Sequence, residues 1–224
     1  VSILTHSFHV VHPHTAHRIK AKENAMETEE PELLELLETD KPAQAPPATL
    51  AEYLTWPEEP PYYEFINGIA TLMPAPTLQH QYTSKKLFRA LEDCVEGRNL
   101  GTAWYAPVDV HLSDEQYFQP DIVFVSNERN SILGKRINGA PDLVVEILSP
   151  SNGYKDVTVK KFIYEEFGVR EYWIVDPATR SVEVLTNSGA GGIGFQITSK
   201  ARTQGTVRSA ILDGFSVEIQ TLFA

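Results

Sequence analysis

Residues 142–149 read DLVVEILS, an apolar run broken once, by Glu146. Five apolar side chains with almost no polar alternation belong to a strand covered on both faces, which commits the chain to a sheet layered between other elements. DIVFVS (121–126) and EYWIVD (171–176) have the same character. Between the last two strands, the spacing predicts a helix from about Asp156 to Phe167, ended by Gly168. Strand, strand, helix, strand in that order argues for an α/β sheet covered by helices.

The flanking segments fit that core. TLAEYLTW predicts a short helix with Leu50, Tyr53 and Leu54 on one side. YYEFI and IATLM flank Asn67-Gly68, a two-residue hairpin signal because both turn positions need positive φ. Leu87, Leu91, Cys94 and Val95 recur at helical spacing within 78–96, with Gly97 as the stop. WYAPVDVHL alternates as one strand around Val108, Val110 and Leu112. SVEVLT, GFQITS and VEIQTLF read as further strands, with the glycine-rich 189–194 as a hairpin loop.

Residues 1–47 differ from the rest. They hold five of the seven histidines (His6, His9, His12, His14, His17), the glutamate-rich Glu27 to Glu38 and a Pro/Ala stretch ending at Pro47. The histidine spacing fits no tetrahedral metal site, so the segment reads as a disordered or loosely attached extension before a domain over 48–224. The apolar stretch Val1 to Val11 lacks a basic leader, no run approaches the length of a membrane span, and Cys94 is the only cysteine. These features exclude an internal disulfide and a cysteine-rich zinc site, and lead us to expect a cytoplasmic protein.

The 224-residue chain has a formal net charge of −11. Residues 1–47 contribute eight acidic and four basic side chains, leaving −7 for the remainder. Phosphate binding is driven by lysine and arginine, so any nucleic-acid function must rest on a local basic patch, on bound metal, or on both. Candidates for such a patch are Lys85, Lys86, Arg89, Lys135, Arg136 and Lys155.

Glu146 is the residue that points to chemistry. A lone carboxylate in a central strand is costly to bury, so it faces a polar cleft or is neutralised by a metal or a base. Asp121, after Pro120 at the head of the preceding buried strand, is its natural partner; carboxylates on adjacent strands can hold one hard cation. Either residue alone is better explained by a strand cap or a core lysine. The pair together favours a site. Asp156, Lys160 and Tyr164, at i, i+4 and i+8, share one helix face. Lys160 there either stabilises charge on a reacting phosphate or pairs with Asp156 in solvent.

YEFINGIA, PDIVFVS, APDLVVEILSPS, the Asp156-Lys160-Tyr164 spacing and GVREYWIVDP together resemble the Uma-two family of the PD-(D/E)XK nuclease superfamily. The resemblance runs from about Leu50 to Asp176, with a weaker β-rich continuation. It implies a central mixed sheet flanked by helices, with extra strands at both ends. It also implies a metal-dependent endonuclease hydrolysing phosphodiester bonds in DNA with Mg²⁺, or with Mn²⁺ in its place. Asp121 and Glu146 would be metal ligands, joined by Glu64, which matches the family's early glutamate. Leu148 occupies the position of the superfamily's E-x-K lysine, and Lys160 on the following helix would replace it. His80 matches a histidine opening the first core helix and, with Tyr164, would be accessory. DNA is the expected partner, no membrane is implied, and a homodimer is compatible with the family. Two alternatives stand beside this reading: a lapsed nuclease fold that only docks on DNA or protein, and a metal-dependent hydrolase of another phosphoester.

Overall fold

The computed structural model describes residues 45–149, 154–188 and 194–223; for 154–156 only the backbone is described. The expected extension over 1–47 lies almost entirely outside these residues, as does most of the 189–194 loop.

The core is a mixed six-stranded sheet. Its strands are β3 (Gly101–Tyr105), β6 (Ile122–Ser126), β8 (Leu143–Ile147), β9 (Glu171–Asp176), β10 (Ser181–Asn187) and β11 (Phe195–Arg202). The spatial order is β11-β10-β9-β8-β6-β3, and β8 and β9 are its parallel pair. The crossover between them is a helix, α3 (Tyr154–Glu166), as a parallel connection requires. A 20-residue helix, α2 (Leu78–Gly97), precedes β3 and starts on a Thr77 side-chain cap.

Both sheet faces are covered, which is why β6, β8 and β9 read as nearly unbroken apolar runs. On one face Ile122, Phe124, Leu143, Val145 and Trp173 pack with Leu87, Leu91 and Val95 of α2 and with Phe215 to Phe223. On the other, Val123, Val144, Tyr172 and Ile174 pack with Val157, Ile163 and Tyr164 of α3. Val110, Phe118 and Ile137 join this second core from another sheet. That sheet contains β1 (Tyr63–Ile66), β2 (Ile69–Leu72), β4 (Val110–Ser113), β5 (Gln116–Phe118) and β7 (Ile137–Asn138), in the spatial order β2-β1-β5-β4-β7.

The Asn67-Gly68 hairpin forms as expected, with φ of 52° and 74° at its two turn residues. Four details differ from the sequence reading. WYAPVDVHL is two strands in different sheets, parted at Ala106-Pro107, because proline cannot donate to a ladder. The short first helix, α1 (Leu50–Tyr53), buries Leu50 but leaves Leu54 exposed. Gly97 is the last residue of α2 rather than its stop; the left-handed turn falls at Asn99, φ 51°. VEIQTLF gives only the end of a three-residue strand, Ser216–Glu218, before a 3₁₀ turn over Ile219–Thr221.

Candidate active site

Strand register brings the two carboxylates together. Ile122 pairs with Val145 across antiparallel β6 and β8, so one step outward Asp121 stands opposite Glu146. Alternation puts both on the α3 side, with Val123 and Val144. The Asp121 carboxylate then closes the strand end: its Oδ2 accepts the Ile147 N–H at 2.7 Å and lies 3.2 Å from His80 Nε2. The same two carboxylates, with His80, Gln119, Ser149 and Lys160, line a cleft of about 500 Å³. Its lining is also rich in proline, including Pro60, Pro61, Pro74 and Pro107.

Lys160 lies at the centre of the site. Only 1% of it is exposed, and its ammonium donates to Glu64 Oε1 at 2.9 Å and to Glu146 Oε1 at 3.2 Å. Glu64 Oε2 is also 2.9 Å from the same nitrogen, so the lysine spans both Glu64 oxygens. The Gln119 backbone N–H adds a further bond to Glu64 Oε1 at 2.9 Å. Tyr164, one turn beyond Lys160 on α3, donates its hydroxyl to Glu146 Oε1 at 2.8 Å. The i, i+4 spacing of Lys160 and Tyr164 thus serves a buried network, not a solvated ion pair; the Asp156 side chain lies outside the described residues.

The bonding leaves an asymmetry. Glu64 has both oxygens engaged. Among the described residues, Asp121 Oδ1 and Glu146 Oε2 accept no hydrogen bond, and each belongs to a carboxylate lining the cleft. No group of three or more His, Cys, Asp and Glu side chains able to cage a metal occurs among the described residues. Two carboxylates nevertheless suit Mg²⁺, which is commonly held by one or two carboxylates while water and substrate phosphate complete the octahedron.

Electrostatics follow from the packing. Burial pushes the Glu146 carboxyl up to about 8; the Lys160 charge opposes this, Glu64 and Asp121 reinforce it, and the Tyr164 hydrogen bond opposes it again. Burial pulls the His80 imidazole down, but its hydrogen bond and charge interaction with Asp121 prevail and hold it above its ordinary value. Tyr164, desolvated and beside Glu146, is held well above its ordinary value and keeps its proton to donate.

The shift at Glu146 has a thermodynamic sign. Below its ordinary value of 4.5, folded and unfolded chains both carry the proton; between about 4.5 and 8 only the unfolded chain releases it. In chelator, wild-type stability should therefore fall across that window and level off above it. Glu146→Gln keeps an acceptor for Tyr164 and should lack this decline, so its melting temperature should gain on wild type as pH rises. Parallel melting curves for the two proteins would mean that Glu146 is ionised in the folded apo state.

Of the six basic residues expected to gather here, the five whose side chains are described do not line the cleft. Lys135 pairs with Glu58, Arg136 sits 5.9 Å from the Tyr117 ring, and the Lys155 side chain lies outside the described residues. Lys85 lines an adjoining groove. Sequence reasoning missed Gln119, whose contribution to Glu64 is a backbone N–H and so leaves no mark on residue type. It also missed the proline lining of Pro60, Pro61 and Pro74.

A layered mixed sheet with acids at the ends of two adjacent central strands defines a restriction-endonuclease-like fold. Residues 50–220 match the family model Uma2, described as "Putative restriction endonuclease", and the chain belongs to that family. The chain is also similar to a crystal structure titled "a putative nuclease belonging to DUF820" from Anabaena variabilis. That match has a TM-score of 0.65 and 22% identity, and covers 79% of this chain and 98% of the other, which supports the shared fold. No curated protein matches. Among the described residues no helix is long and apolar enough to cross a membrane.

Proposed function

We propose that the protein is a Mg²⁺-dependent endonuclease that hydrolyses phosphodiester bonds in DNA. The observation that carries this reading is the pair of open carboxylate oxygens, Asp121 Oδ1 and Glu146 Oε2, in a cleft shared with a buried lysine. A cleft with this acid content repels a phosphodiester unless a cation lies between them. Asp121 and Glu146 would hold that cation, which when bound supplies Lewis acidity at a phosphate oxygen and makes water a stronger nucleophile.

The remaining residues divide the work. Glu64 is assigned here to Lys160 rather than to the metal, because both of its oxygens already face the ammonium. So fixed, Lys160 offers a positive charge to the phosphoryl oxygens as negative charge builds on them. Tyr164 and His80 hold Glu146 and Asp121 in orientation through the bonds given above.

The lapsed binding-module reading draws on one observation: the described residues contain no three-ligand cage. Supercoiled plasmid incubated with Mg²⁺, and with chelator in parallel, separates the two. We expect nicking with Mg²⁺ or Mn²⁺ and none with chelator. Mg²⁺ binding by calorimetry without cleavage of any DNA form would favour the module.

A further inference from the structure

Beside the cleft, α2 and the end of β3 enclose a second depression of about 620 Å³, lined by Leu78, Gln81, Tyr82, Lys85, Phe88 and Tyr105. We propose that this groove seats an unpaired base of the DNA strand being cut, stacked on Tyr105 and Tyr82, with the strand's phosphates on Lys85, Lys86 and Arg89. The proposal rests on the nuclease reading and adds to it a substrate form: a strand with at least one unpaired nucleotide next to the scissile bond.

Three observations converge. Gln81 lines both the cleft and the groove, so a strand leaving one passes directly into the other. Large apolar groups stand open to solvent there: Leu78 is 90% exposed and Tyr105 61%. Scattered exposed hydrophobes are ordinary, but a cluster of them at a groove mouth marks a binding surface. Tyr105 is braced from behind by Phe88, edge-on with ring centroids 4.7 Å apart, and so offers a pre-set face.

Charge selects the ligand. In a chain of net −11, α2 from Leu78 to Arg89 carries three basic and no acidic side chains, while its acids fall later, at Glu92, Asp93 and Glu96. Lys85, Lys86 and Arg89 are all exposed, and the two lysine nitrogens lie 5.5 and 5.4 Å from the Tyr82 ring centroid. Aromatic faces interleaved with cations are how proteins track a single strand, since every base has a π-face and every step a phosphate. A base inside a duplex is already stacked and cannot enter. A second copy docked through this face about a two-fold axis would set basic residues against basic residues, which disfavours the groove as a dimer seam.

The test is binding of a fluorescein-labelled 12-mer, single-stranded and as a duplex, to the full chain in EDTA, so that affinity is read without cutting. Tyr105→Ala and Tyr82→Ala should each weaken single-strand binding roughly 5- to 150-fold, the span expected for one lost stack. Duplex binding should change less than about 2-fold. Tyr105→Phe should bind like wild type because it keeps the ring, and an unchanged melting temperature in the alanine variants excludes a folding defect as the cause. The proposal is overturned if wild type shows no single-strand binding, if both alanine variants bind the strand normally, or if strand and duplex weaken together. Sedimentation showing a dimer that Tyr105→Ala dissociates would overturn it as well. The nuclease reading fails separately, if wild type with Mg²⁺ cuts neither plasmid nor the single-stranded 12-mer, and that outcome leaves stacking in EDTA untouched.

Discussion

Lys160→Met should cost about 3–5 kcal/mol of folding stability, among the largest losses available to a single substitution here. The methionine fills most of the volume, so the loss is electrostatic rather than a cavity. Glu64, 2% exposed, would lose its counter-charge beside the buried Glu146. For a domain of this size the melting temperature should drop on the order of 10 °C. The deficit should shrink in acid, where an uncompensated buried carboxylate takes up a proton instead of unfolding the chain. Adding Glu64→Gln to Lys160→Met should restore much of the loss, because it removes the stranded charge and leaves an acceptor for the Gln119 N–H. A double-mutant cycle by chemical denaturation measures this directly. If Lys160→Met alone costs less than about 1 kcal/mol at neutral pH, the ammonium is not the keystone its contacts describe.

Much of this site could be read from the sequence because its signals are local. Glu146 breaks an apolar run, Asp121 heads another, and Lys160 and Tyr164 share a helix face by periodicity. Each is visible within a dozen residues. Glu64 is not: a carboxylate in a hairpin strand looks solvent-facing, and only the family resemblance singled it out. What buries it is a contact with Lys160, 96 positions away, through a second sheet that no local pattern announces. The same limit explains the split of WYAPVDVHL. Alternation carries straight through Ala106-Pro107, whereas membership of one sheet or the other is decided by partners, Val123 opposite Trp104 and Phe118 opposite Val110. Leu54 failed for a related reason, since a one-turn helix has no second turn to extend its apolar side.

Asp121→Asn should lower Mg²⁺-dependent cleavage by on the order of 10³-fold while leaving the fold intact, and Glu146→Gln should do the same. Both substitutions preserve shape and remove charge, which is what a hard cation needs from its ligands. The asparagine amide keeps an oxygen for the Ile147 N–H, and the glutamine amide keeps one for Tyr164, so neither variant should lose the bonds that order the strand ends. Melting temperature and far-ultraviolet circular dichroism check that. His80→Ala provides the graded control. The imidazole touches Asp121 but no reacting group, so its removal should cost about 10- to 100-fold, with weaker Mg²⁺ affinity accounting for the loss, as supporting partners of metal ligands generally do. The informative comparison is Mg²⁺ affinity by calorimetry against cleavage rate across the three variants. If the carboxylates are ligands, affinity and rate fall together in all three, and saturating Mg²⁺ recovers part of the rate in His80→Ala alone. If Asp121→Asn still cuts at the wild-type rate, the Asp121 carboxylate is a strand-end clip for Ile147 and His80, and the site has lost its metal. If Asp121→Asn and Glu146→Gln bind Mg²⁺ as wild type does yet fail to cut, the two acids act on substrate or proton rather than on a cation.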